Sequence, residues 1–153
     1  MRQIKLVFAV FIPVVLGIFV WCPMADADAV ITEPPAGTLI QNRLDFSVAG
    51  SISDYNESMA ANFHYWVSIA SVKGNNKADL HWPKFYVKSG HFQGSIHDGG
   101  QNPLPTPQTM IIFLLRVDDA TNQRFIRWLN KGVFKGFPVQ NSEIVVSVPI
   151  RFR

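Results

Sequence analysis

The sequence predicts a mostly β fold, a β-sandwich with one short helix near 120–131. Two observations carry this prediction. About seven short segments either alternate apolar and polar side chains or are continuously apolar, and turn residues separate them. A single segment has its apolar residues at helical spacing. This pattern is typical of two layers of pleated strands that enclose one core.

The first 29 residues have the layout of a secretory signal peptide. Arg2 and Lys5 give a positive start, an apolar run covers 6–21, and small residues at 25–29 offer cleavage positions. We therefore expect residues 30–153 to form one domain that is secreted or periplasmic. The alternative is an uncleaved N-terminal segment that anchors the protein to the membrane.

Cysteine content and charge narrow the function classes. Cys22 is the only cysteine and lies in the predicted signal, so the domain has no disulfide and depends on its core. Lipidation of Cys22 is not expected, because Trp21 and not a small residue precedes it. The net charge is +3 and no run of four basic residues occurs, so we expect no nucleic-acid partner.

The first half of the domain contains two clearly alternating strands. An extended segment at 31–37 is broken by prolines and is predicted at a sheet edge. Residues 44–53 alternate with a period of two, and the polar stretch 54–61 is predicted to be a loop. Residues 63–70 have substantial side chains on both faces, which favours a central position in a sheet. Glycine and asparagine at 73–77 predict a turn.

The second half continues with extended segments. Residues 80–88 form a strand that Pro83 places near an edge, and 91–97 alternate again. Three prolines stiffen a long loop that begins at Asp98 and ends near Pro107. The continuous apolar run within 109–117 predicts a strand covered on both sides.

The last segments are a helix and a closing strand. Asp118 or Asp119 caps the predicted helix at 120–131, because a carboxylate accepts N–H bonds there and suits the helix dipole. Gly132 supplies the stop. Residues 142–153 alternate and predict the final strand.

Several short motifs resemble those of bacterial immunoglobulin-like domains. Ile31–Gly37 is similar to the opening of such domains, Val48–Ser51 to their second strand, and Tyr65–Val67 to their third. Trp82-Pro83 and Gly90–Gly94 resemble a pattern of extracytoplasmic modules of this kind. The resemblance covers most of residues 31 to 117, and it implies an immunoglobulin-like β-sandwich.

The sequence departs from the family pattern in two respects, the absence of a cysteine pair and the presence of the helix. The resemblance implies a secreted binding or structural module and transfers no catalytic residue, since function must be argued from a site. We therefore expect a non-catalytic module that recognises a protein or a cell-surface glycan. The predicted contacts are Trp82, Tyr86, His91 and Trp66, together with the Pro-rich loop 99–108.

Two alternative functions remain open at this stage. The first is an envelope structural protein that assembles through sheet edges, using the proline-free stretch 142–148. The second is a small secreted hydrolase built on Ser95, His97 and Asp98. The segment has no nucleophile elbow, and functional triads are assembled in space and not along the chain, so this alternative ranks last.

Metal and cofactor chemistry is not predicted. The four histidines lack metal-ligand spacing, and His91 and His97 lie roughly 20 Å apart on a straight strand. Residues 98–102 lack the spaced acidic residues of a calcium loop. Asn56-Glu57-Ser58 has the form of a glycosylation acceptor, which matters only in a host that glycosylates. We expect no enzyme activity, no metal and no cofactor.

Overall fold

The structure is a computed structural model that describes residues 28–41, 44–72, 79–97, 108–132, 135–140 and 143–153. These residues form nine strands and two helices. In chain order they are β1 (Ala29–Glu33), β2 (Leu39–Ile40), β3 (Asp45–Ile52), α1 (Tyr55–Ala60), β4 (Phe63–Ser71), β5 (Leu80–Tyr86), β6 (His91–His97), β7 (Gln108–Asp118), α2 (Asp119–Lys131), β8 (Phe137–Pro138) and β9 (Ile144–Phe152).

The strands form two sheets, which confirms the predicted mostly β fold. The smaller sheet has the order β1-β3-β6, and the larger has the order β2-β9-β7-β4-β5-β8. All pairs are antiparallel except β2 with β9. β4 and β7 are neighbours in the interior of the larger sheet, as their two apolar faces predicted.

The main core lies between the two sheets, where alternate residues of each strand point inward. The smaller sheet contributes Ile31, Val48, Ile52, Phe92 and Ile96. The larger sheet contributes Tyr65, Val67, Ile69, Ile112, Leu114, Val148, Ile150 and Phe152, together with Ile40. This apolar contact between sheets compensates for the lack of disulfides in the domain.

Helix α2 covers the outer face of the larger sheet, so the molecule has three layers. Phe125 of α2 packs against the other set of alternate residues, which includes Trp66 and Phe113. The Asp118 carboxylate caps the helix by accepting the Thr121 N–H at 2.7 Å, and Gly132 ends it with a φ of +60°. The predicted helix at 120–131 is therefore confirmed as Asp119–Lys131.

The prediction of a single helix is wrong, because Tyr55–Ala60 forms α1 where a loop was predicted. Ser58 explains the turn: its N–H donates to the Asp54 carbonyl at 2.9 Å, and its hydroxyl donates to the Asp54 carboxylate at 2.9 Å. Six residues span fewer than two helical turns, so the segment gives only a weak helical period in the sequence.

Some predictions fall on residues outside the described ranges. These are residues 1–27 of the predicted signal, the turn at 73–77 and the loop at 98–107. Asp28 and Ala29, which the predicted signal includes, belong to the folded part: Ala29 pairs with Ile52 in β1. Within the described part of the chain, no helix is long and apolar enough to cross a membrane.

Candidate functional site

A surface groove of about 590 Å³, here called the N-terminal groove, lies where four segments meet. It is formed by the start of β1, the end of β3, the start of α1 and the start of β6. Much of its lining has hydrogen-bonding side chains, namely Asp28, Ser51, Ser53, Asn56 and His91. The groove therefore presents donors and acceptors toward solvent along one end of the sandwich.

Hydrogen bonds and one ring contact hold the walls of this groove in place. The Ile52 N–H donates to the Gly90 carbonyl at 2.7 Å, and the Ser53 N–H donates to the Asp28 carbonyl at 3.0 Å. The Tyr55 hydroxyl donates to the Val87 carbonyl at 3.2 Å, and its ring stacks on Tyr65 with centroids 6.0 Å apart. These contacts fix the groove before any ligand binds, which reduces the entropy cost of recognition.

A second opening of about 400 Å³, here called the β5–β6 cleft, runs beside β6 between the two sheets. Its lining comprises 85–89 and 91–95, and His91 is common to both openings. Gly94 is required here, because a Cβ at that position would lie 2.6 Å from the Phe85 ring. Lys88 is the one fully charged side chain of the lining and is exposed.

A buried polar cluster fixes α1 on the sheets. The Tyr65 hydroxyl donates to Asp54 Oδ1 at 2.9 Å and lies 3.0 Å from Ser58 Oγ. Arg116 lies on β7, the strand next to β4, and its Nη1 is 3.7 Å from Asp54 Oδ2. Burial raises the pKa of Tyr65, and the hydrogen bond to Asp54 adds to that increase. The hydroxyl group of Tyr65 therefore stays protonated and serves as a structural donor.

A second set of buried polar contacts lies beneath α2. The Trp66 indole N–H donates to Asn122 Oδ1 at 2.9 Å, and His81 Nδ1 lies 3.0 Å from Ser68 Oγ. Burial lowers the pKa of His81 from 6.5 to about 4, so its imidazole is neutral at pH 7. Among the described residues, no fully buried side-chain nitrogen or oxygen lacks a hydrogen-bond partner. The buried polar groups beneath α2 therefore stabilise the fold by bonding to one another.

The four predicted contact residues do not form one cluster. His91 is exposed and lines both openings, and Tyr86 is half-buried and lines the β5–β6 cleft. Trp82 is half-buried, packs against the inter-sheet core and lines neither opening. Trp66 is 1% exposed beneath α2, so the structure places this predicted contact in the core, where its indole cannot reach a surface ligand.

Tyr86 belongs to a polar contact on the helix side of the larger sheet. Its hydroxyl lies 3.2 Å from His64 Nδ1 and donates to Met59 Sδ at 3.7 Å. His64 Nε2 in turn lies 3.3 Å from the Asp119 carboxylate at the start of α2. Burial raises the pKa of Tyr86. The arrangement joins α1, β5 and α2, so most of the hydroxyl's capacity is already used within the fold.

Two of the three predicted hydrolase residues, Ser95 and His97, lie on the outer face of the smaller sheet. His97 Nδ1 lies 2.6 Å from Asp45 Oδ1 across the β3–β6 pair, whereas the predicted partner Asp98 lies outside the described residues. The side chains of His97 and Asp45 are 65% and 66% exposed, so the described residues form no enclosed cavity around them. Ser95 lies two residues before His97 on β6, so both side chains are on the same face of the sheet.

The described residues offer no clustered metal ligands, and the glycosylation motif is only partly exposed. No group of three or more His, Cys, Asp or Glu side chains that could hold a metal ion occurs in the part of the chain that the structure describes. The calcium-loop candidate at 98–102 and nearly all of the loop 99–108 lie outside that part. In the Asn56-Glu57-Ser58 motif, Asn56 is exposed in the N-terminal groove but Ser58 is buried.

Most residues of the N-terminal groove are not predicted as site residues from the sequence. The sequence prediction places Asp28 in the signal, and Tyr55 and Asn56 in a polar loop. A usable signal was present, because Tyr55, Ser58 and Met59 have the i, i+3, i+4 spacing of one helical turn.

Comparisons of the chain with protein-family models, with curated proteins and with solved structures returned no match.

Proposed function

We propose that this protein is a non-catalytic module that acts outside the cytoplasm and binds a cell-surface glycan in the N-terminal groove. The observation that carries the proposal is the lining of that groove. Five residues with hydrogen-bonding side chains and one tyrosine line its volume of about 590 Å³. Such a combination of convergent polar groups with an aromatic ring is typical of small-molecule sites.

The polar composition favours a glycan over an apolar ligand. Each sugar hydroxyl both donates and accepts, and the groove offers matching chemistry in the serine hydroxyls, the Asn56 amide, the Asp28 carboxylate and the His91 imidazole. Tyr55 adds an aromatic surface that its bond to Val87 holds in position. A protein partner is the competing ligand class, and the absence of any glycan binding would favour it.

The order of the strands supports an immunoglobulin-like assignment. In a variable-type immunoglobulin sandwich, strands A, B and E belong to one sheet, and G, F, C and C′ follow one another in the other. The same succession is found here in β1-β3-β6 and in β9-β7-β4-β5. Helix α2 occupies the connection between the F-like and G-like strands, β7 and β9. Loops and termini at the ends of such sandwiches commonly carry binding sites.

Export through the predicted N-terminal signal would place the groove outside the cytoplasm, and membrane anchoring remains the alternative. The contacts of Asp28 and Ala29 favour one position for cleavage of the predicted signal peptide. The Asp28 carbonyl accepts the Ser53 N–H, and β1 begins at Ala29. Cleavage after Ala27 preserves both contacts, and Ala25-Asp26-Ala27 has the small-residue pattern that a signal peptidase requires. We therefore place the first residue of the exported domain at Asp28, two residues before the earlier expectation.

A glycan array probed with the purified protein tests the proposal. We expect a defined set of oligosaccharides to bind. Alanine at Asn56 or at His91 should weaken that binding about tenfold, because each substitution removes hydrogen bonds that are buried in the complex. Gln93→Ala is the matched control, since Gln93 is exposed on the same strand as His91 but lines only the β5–β6 cleft. An array without binding, or equal losses in all three variants, would remove the glycan proposal.

A further inference from the structure

Among the outer strands of the two sheets that the structure describes, β6 is the one long edge without a proline, a lysine or a register shift. The outer strands are β1 and β6 in the smaller sheet and β2 and β8 in the larger. β2 and β8 have two residues each, and β1 has a register shift in its pairing and is followed by two prolines. β6 has seven residues with no proline and no lysine, and it pairs with β3 without a shift. Proteins ordinarily protect such edges against pairing with another chain.

β9 is less suited to pairing than β6, although the stretch 142–148, which overlaps its first half, is predicted from the sequence to mediate assembly. β9 extends past β2, which covers only Arg151 and Phe152. Its pairing with β7 is irregular between Leu114 and Leu115, and Pro149 interrupts its donors. Both features discourage further strand addition.

The side-chain order of β6 is nearly symmetric about Gly94. His91 and His97 lie three residues from it, the apolar pair Phe92 and Ile96 two residues, and the polar pair Gln93 and Ser95 one residue. A two-fold axis through Gly94 would bring each residue opposite its counterpart in an antiparallel pair. Phe92 would then meet Ile96 on the core side, and Gln93 would meet Ser95 on the solvent side.

The alternation of backbone hydrogen bonds along β6 is compatible with a two-fold axis through Gly94. The Ile52 N–H donates to the Gly90 carbonyl, and in the β3–β6 register this makes the even-numbered residues of β6 the ones that bond to β3. The N–H and C=O groups of Gln93 and Ser95 therefore point toward the free edge. In a pair centred on Gly94, these two residues face each other and exchange both hydrogen bonds.

We propose that two copies of this chain associate through β6, as an antiparallel strand pair centred on Gly94. The two smaller sheets would join into one six-stranded sheet, β1-β3-β6-β6-β3-β1. An isologous contact of this kind closes after two copies, so it gives a dimer and not a fibre. The strand contact is about 23 Å long and is mainly polar, so the association is weak and concentration-dependent.

Sedimentation of the purified protein over a concentration series tests the dimer. Ser95→Pro removes an edge N–H that bonds to nothing in β3, and it should weaken dimerisation about 30-fold because two donors are lost per dimer. Ser95→Ala keeps the N–H and should dimerise like the unsubstituted protein. A monomer at about 1 mM, or equal dimerisation by both variants, overturns the proposal.

Cross-linking tests the register without depending on proline. In a Cys22→Ser background, which removes the only native cysteine, chains with Gln93→Cys are mixed with chains with Ser95→Cys. The proposed register brings positions 93 and 95 of the two copies within disulfide range but keeps identical positions out of it. Mixed dimers should therefore cross-link at least tenfold faster than like pairs. Equal rates, or no cross-linking, overturn the register.

Discussion

Acidification should destabilise this protein through the buried imidazole of His81. The side chain is 1% exposed beneath α2, and its one polar contact among the described hydrogen bonds is Ser68 Oγ at 3.0 Å. The rings of Phe125 and Phe137 lie 5.7 and 6.0 Å from its ring, centroid to centroid. These surroundings do not stabilise a cation, and burial lowers the pKa of His81 from 6.5 to about 4.

The direction and size of the effect follow from this pKa difference. Between about pH 4 and 6.5 the unfolded chain binds a proton at His81 more readily than the folded chain does, so stability falls as pH falls. The stabilisation is complete above the unfolded pKa of 6.5 and is lost progressively toward about 4. The loss amounts to about 2 kcal/mol at pH 5 and about 3 kcal/mol at pH 4.

Urea unfolding at a series of pH values measures this loss. His81→Gln keeps an amide near Ser68 but cannot titrate, so its stability should change about 2 kcal/mol less than that of the unsubstituted protein between about pH 7.5 and 5. His91→Gln is the matched control, because it removes an exposed imidazole and should retain most of the pH dependence. Parallel stability curves for the unsubstituted protein and His81→Gln would refute the assignment of His81 as a neutral core residue.

Three further predictions concern the helix cap, the close contact at Gly94 and the N-terminus. Asp118→Ala removes the acceptor of the Thr121 N–H and should lower the free energy of unfolding by about 1 kcal/mol in urea titrations, whereas Gln123→Ala on the exposed side of α2 should change it little. Gly94→Ala should lower the free energy of unfolding by about 1–3 kcal/mol, because its Cβ would meet the Phe85 ring. In a chain that carries both Gly94→Ala and Phe85→Leu, the free energy of unfolding should fall by less than the sum of the two single decreases. The intact mass of the exported protein should correspond to a chain that starts at Asp28, and a mass that starts at Val30 would contradict the assigned role of Asp28 in the groove.

Local sequence was sufficient for most of the strands and for α2. β7 was recognisable because its apolar run is continuous, and α2 because its apolar spacing lies between an acidic cap and Gly132. α1 was missed because six residues carry too little periodicity to outweigh a polar composition. The length of a segment, more than its amino-acid type, therefore decided whether it could be recognised.

The sequence alone determined that β4 has large side chains on both faces, which favoured a central position in a sheet but left Trp66 as a candidate ligand contact. Only the tertiary structure decided what covers each face: Tyr65 lies in the inter-sheet core, and Trp66 lies beneath α2, bonded to Asn122. The N-terminal groove likewise joins the start of β1, the junction of β3 with α1 and the start of β6, three places that are far apart along the chain. Alternation along a strand predicts that a side chain is buried. Which element buries that side chain depends on long-range packing, and no local pattern in the sequence predicts it.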